Sequence, residues 1–126
     1  MKNFFLSWIG DRDIWSLEDS NKKSPTDEVY KYLGKNNISI DQIYLFNNYH
    51  ISKSKNKNID KEQANEFRDR IKEDTGKNVT LKNVDVDKPN NLKLIYELME
   101  IELSKTINDS HNSMLFINIS SGTTQM

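Results

Sequence analysis

Apolar residues fall into two kinds of pattern along this chain. Nearly continuous runs occupy residues 4–9 (FFLSWI), 42–47 (QIYLFN) and 114–119 (MLFINI). A further stretch, 78–86 (NVTLKNVDV), alternates, with Val79, Leu81, Val84 and Val86 carrying its apolar character. Runs that are apolar on both faces suit parallel strands covered by helices on each side. The intervening segments repeat at helical spacing. Ser24 as N-cap, Pro25 at the first helical position and Asp27 three residues after the cap predict a helix over 25–33. Val29, Tyr30 and Leu33 form its apolar face, and Gly34 is expected to end it. A second helix is predicted over 61–75, capped by Asp60, with Ala64, Phe67 and Ile71 at i, i+3 and i+7 and Gly76 as terminator. A third, from about 90 to 106, follows Pro89 and carries Leu94, Ile95, Leu98 and Ile101 as a broad stripe.

The predicted order is therefore β-α-β-α-β-α-β. Strands separated by helices imply right-handed crossovers. The expected fold class is α/β: a Rossmann-like, mainly parallel sheet with helices on both faces, in one domain over 1–126. Residues 50–59 (HISKSKNKNI) and 108–112 read as polar connections.

Composition narrows the function classes. Eighteen basic against 19 acidic side chains leave a net charge of −1, so no basic field advertises duplex nucleic acid, and any nucleotide must be recognised locally. There is no cysteine, which removes disulfides, thiolate metal sites and a cysteine nucleophile, and which fits a cytoplasmic location. The first apolar run is interrupted by Ser7 and is shorter than a signal-peptide core; it reads as a buried strand. No run approaches membrane-spanning length.

Only four glycines occur, and Gly10 and Gly122 fall just after the first and last predicted strands. In open parallel sheets, ligands bind beyond the carboxyl ends of strands, where strand order reverses. If the last strand returns to the free side of the first, Gly10, Asp11, Arg12 and Asp13 face the same crevice as Ser120, Ser121, Gly122, Thr123 and Thr124. Backbone N–H groups and the hydroxyls there suit phosphate oxygens, and Arg12 adds a charge-assisted donor. Two bland readings stand beside this one. Ser-Ser-Gly-Thr-Thr is equally a strand-to-helix turn with a capping hydroxyl, and Arg12 flanked by Asp11 and Asp13, taken singly, reads first as a solvated ion cluster; the conjunction of two such loops at equivalent strand ends is what favours a site.

Other chemistry finds little support. G-x-G-x-x-G and G-x-x-x-x-G-K-[ST] are both absent, His50 and His111 are isolated, and Asp11 with Asp13 is a weak magnesium pattern. We expect no metal, no cofactor and no catalytic residue. Trp15 and Tyr49 are candidates for stacking on a base, whereas Trp8 reads as core. Asn47 and Asn48 are placed to read a base edge or to form the turn after the second strand.

FFLSWIGDRD resembles the opening strand and loop of CARF (CRISPR-associated Rossmann-fold) domains and of related RtcR-type regulatory domains. FINISSGTTQM is similar to their fourth strand and [ST]-x-G-T turn, and DVDKPNN to an Asp-x-x-x-Pro feature of such sequences. The resemblance implies a sensor that binds a cyclic oligoadenylate (cA4 or cA6) across a homodimer and controls a downstream effector domain in type III CRISPR defence. RtcR-type relatives imply instead the sensing of RNA ends to regulate transcription. Carried over, the ligand-binding role falls on Gly10, Asp11, Arg12 and Asp13, and on Ser120, Ser121, Gly122, Thr123, Thr124 and Gln125. Many CARF members carry a basic residue where Thr124 stands, often linked to ligand cleavage. The resemblance therefore implies binding in this domain, with ring-nuclease activity as the enzymatic alternative. A Gly-Thr-Thr turn of this kind expects a helix after it, so the sheet is read as truncated after its fourth strand.

Overall fold

The computed structural model describes residues 2–19, 21, 23–48, 61–84, 92–106 and 113–118. In chain order the elements are β1 (Lys2–Trp8), α1 (Asp11–Glu18), α2 (Pro25–Lys35), β2 (Gln42–Asn48), α3 (Lys61–Thr75), β3 (Asn78–Val84), α4 (Leu92–Thr106) and β4 (Ser113–Asn118). The four strands form one parallel sheet in the order β3-β2-β1-β4. β1 is thus flanked by β2, with Leu6 opposite Tyr44, and by β4, with Leu6 opposite Ile117. The α/β, Rossmann-like architecture expected from the hydrophobic pattern is present.

The continuous apolar runs serve two faces at once. On one face Phe5, Ile43 and Leu45 pack with Ile14 of α1, Leu33 of α2, and Ala64, Phe67 and Ile71 of α3. On the other, Phe4, Leu6, Trp8, Tyr44 and Phe46 pack with Ile95 and Met99 of α4. This division follows from the direction of travel. The connections from β1 to β2 and from β2 to β3 step the same way across the sheet, so their helices share a face. The step from β3 to β4 goes back past β2 and β1, and a right-handed crossover then puts α4 on the opposite side.

Three local features differ from the sequence expectation. First, α1 was not foreseen: Gly10, Asp11, Arg12 and Asp13 do not form a free loop but open a helix. Second, Gly34 does not end α2. The helix continues to Lys35, and Asn37 takes the left-handed conformation (φ 63°). The N–H groups of Ile38 and Asn37 donate to the carbonyls of Leu33 (3.0 Å) and Gly34 (3.1 Å), the paired bonds of a Schellman ending. Asparagine tolerates that backbone, and Ile38 packs in the same apolar cluster as Leu33. Third, α4 buries Ile95 and Met99, while Leu94 and Ile101 of the expected stripe are 38% and 53% exposed. A helix lying on a sheet through an i, i+4 pair leaves the flanks of a wide stripe in water. The expected strand residues Val86 and Ile119 lie outside the described residues, as does the expected cap Asp60.

Gly76 does end α3, at φ +69°, and its N–H donates to the Lys72 carbonyl at 2.9 Å. Opposite signs are therefore expected for one substitution at two glycines. A Cβ at Gly34 or at Gly76 meets nothing within 4 Å, so backbone preference alone decides. Gly34→Ala, inside a helix, should stabilise by about 0.5–1 kcal/mol. Gly76→Ala, held left-handed, should destabilise by about 1 kcal/mol. Urea midpoints moving in the same direction for both would contradict the assignment.

Candidate functional site

The sheet order makes β1 and β4 neighbours, with Ser7 opposite Asn118 at their carboxyl ends. Ligand crevices of such sheets lie here, because the crossovers on either side leave in opposite directions. Gly10 to Asp13 follow β1 directly.

Gly10 is the N-cap of α1, with extended backbone (φ −118°, ψ 179°), so its conformation does not itself require glycine. Asp13, three residues on, is fully buried. Its carboxylate reaches back to accept the Gly10 N–H at 3.1 Å, the return half of a capping box. The same carboxylate accepts three bonds from the start of α2: the Ser24 hydroxyl at 2.6 Å, the Thr26 N–H at 3.1 Å and the Thr26 hydroxyl at 3.0 Å. Ser24 in turn accepts the Asp27 N–H at 3.2 Å, as its predicted cap role requires. Two helix N-termini thus converge on one internal anion. The positive end of a helix attracts negative charge, and here the protein supplies that charge itself.

This changes what the first segment offers a ligand. Asp13 faces inward and organises the junction of α1 and α2. Asp11 and Arg12, in the first turn of α1, are exposed. Arg12 is the outward donor of the set, and its guanidinium suits phosphate or a carboxylate. The acidic Asp11 beside it and the occupied helix end reduce the pull of α1 on an external anion. Ser120, Ser121, Gly122, Thr123, Thr124 and Gln125 lie outside the described residues.

Asn47 is buried at the carboxyl end of β2, and its side-chain NH2 donates to the side-chain Oδ1 of Asn83 on β3 at 3.0 Å. Trp8 is core, 2% exposed, whereas Trp15 stands on α1 with 52% of its surface in water. Tyr49 lies outside the described residues. Among the described residues no group of three or more His, Asp or Glu is arranged to hold a metal ion, and no helix is long and apolar enough to cross a membrane.

Sequence reasoning missed the residues that complete this region: Ser7, Ser16, Thr26, Arg70 and Asn118. Ser7 bonds Thr26 at 2.7 Å and accepts from the Asn118 amide at 3.1 Å, all three being buried. The Ser16 hydroxyl donates to the Asp13 carbonyl, and Arg70 of α3 donates to the Ser16 carbonyl (2.8 Å) and hydroxyl (3.0 Å). One signal was legible: Ser7 interrupts an otherwise apolar run, and a buried hydroxyl demands a partner. Its partners are far away in sequence.

No family model matches the chain, and neither a curated protein nor a solved structure matches it significantly.

Proposed function

We propose that this chain is a ligand-sensing unit of the CARF type, which binds a cyclic oligoadenylate as a homodimer and passes the signal to an effector domain. The observation that supports the reading best is the parallel pairing of β1 with β4, with Ser7 opposite Asn118. It brings the two segments that carry the resemblance, GDRD and SSGTT, to follow adjacent strand ends. A cyclic oligoadenylate offers phosphates, ribose hydroxyls and bases to such a crevice. Arg12 supplies the charged donor, the Ser and Thr hydroxyls of residues 120–124 the neutral ones, and exposed Trp15 a face on which a base can stack. With a net charge of −1, affinity rests on these placed donors and not on a general basic field.

Calorimetric titration of the full-length protein with cyclic tetra-adenylate and cyclic hexa-adenylate tests the proposal. Saturable binding of one ring per two chains is expected, weakened on the order of tenfold or more by Arg12→Ala, since hydrogen bonds to charged groups contribute about 1.5–3 kcal/mol. Absence of heat with both rings would overturn the reading.

A further inference from the structure

The hydrogen bonds around Asp13 have a defined direction and run from the starts of α1 and α2 to the end of β4. Each carboxylate oxygen of Asp13 accepts a backbone N–H, from Thr26 on one and from Gly10 on the other. Ser24 accepts the Asp27 N–H and therefore spends its own proton on Asp13. An ionised carboxylate satisfies every one of these donors; it only accepts. The Thr26 hydroxyl, donating to Asp13, must then receive at its oxygen the proton of Ser7. Ser7, having donated, accepts from the Asn118 side-chain amide. The order Asn118 to Ser7 to Thr26 to Asp13 is forced from one end by the buried charge. A chain whose members all point the same way reinforces itself in a low-dielectric interior.

We propose that Asp13 is a positioning residue for the crevice, acting through Thr26 and Ser7 on Asn118 at the end of β4. The inference rests on the reading of that crevice as the ligand site. The chain joins four pieces of backbone that a ligand there would meet: the ends of β1 and β4 and the starts of α1 and α2. Each of its links is a bond between buried side chains of the protein. Together they fix Asp13, Thr26, Ser7 and Asn118 in one arrangement before the ligand arrives, so less ordering of these strand and helix ends remains to be done on binding.

Thr26→Val tests this, since valine keeps the shape and removes the hydroxyl. In the full-length protein without ligand, the Asn118 side-chain amide resonances should move in Thr26→Val and return towards wild type in Thr26→Ser. Ser24→Ala, which touches the same carboxylate off the line to β4, should move them far less. If Thr26→Val does not fold, Ser7→Ala interrupts the chain one step further on and should give the same displacement. With ligand, Thr26→Val should weaken ring binding about tenfold and Thr26→Ser should restore it. Unchanged Asn118 resonances in Thr26→Val or Ser7→Ala would overturn the proposal, as would displaced resonances with wild-type affinity. Failure of the wild-type protein to bind either ring is a different result. It removes the sensing role, while the ligand-free resonances still decide whether the chain positions β4.

Discussion

Asp13→Ala is expected to destabilise the fold by about 3–5 kcal/mol, the range for removing one partner of a buried charged network. The mechanism is desertion of donors. Gly10 N–H, Thr26 N–H and the hydroxyls of Ser24 and Thr26 all give their hydrogen bonds to this one carboxylate. Each buried donor left without an acceptor costs about 1–3 kcal/mol, and partial relaxation keeps the total below the sum. Asp13, Ser24 and Thr26 are all buried, so bulk water does not reach the vacated place without local opening. Asp13→Asn should cost less, because one oxygen still accepts, but it cannot be neutral: its NH2 group would confront donors. Urea denaturation of wild type, Asp13→Asn and Asp13→Ala should rank them in that order. A loss under about 1 kcal/mol for alanine would show that these bonds are largely replaced by solvent.

What could be read in advance divides along the range of the interactions concerned. α3 was legible because Ala64, Phe67 and Ile71 repeat at helical spacing and all three are buried. β1 and β2 were legible because FFLSW and QIYLF are short, nearly continuous apolar runs, which suit strands covered on both faces. α1 was not, since its eight residues contain only Ile14, Trp15 and Leu17 as apolar side chains. Asp11 and Asp13 looked alike as surface charges, although one is exposed and the other fully buried. Nothing local tells them apart: the difference lies in Ser24 and Thr26, 11 and 13 residues away. The end of α2 was misplaced for a different reason. Glycine is the commonest left-handed residue after a helix, but Asn37 also tolerates that backbone, and Leu33 with Ile38 closes the contact around it. The strand order was expected only conditionally. The β-α rhythm cannot say on which side of β1 the last strand lands. Ser7 and Asn118, 111 positions apart, meet because it lands beside β1.

The second large effect is expected at Phe5→Ala, about 3–5 kcal/mol, or a fall in melting temperature of roughly 10–20 °C for a chain of this size. Phe5 is fully buried, on the strand at the middle of the topological switch, in register with Ile43 of β2 and Phe116 of β4. Its ring lies 6.3 Å from that of Tyr30 on α2, tilted by 45°. Removing it opens a hole bounded by strands on both sides and helices above. A strand held on both edges by parallel pairing closes such a hole poorly, which puts the cost at the upper part of the usual range. Phe5→Leu, which refills most of the volume, should cost under about 2 kcal/mol. Trp15→Ala should stay within about 0.5–1 kcal/mol, although it deletes a larger side chain, because half of that side chain is already in water. The comparison separates packing from size. It also bears on the crevice: Phe5 and Ser7 point to the same face of β1, two residues apart. A cavity at Phe5 should therefore displace the Asn118 amide resonances as well, whereas Trp15→Ala should leave them in place. Equal losses of stability for Phe5→Ala and Trp15→Ala would mean that the β1 face under α2 and α3 is not the centre of the core.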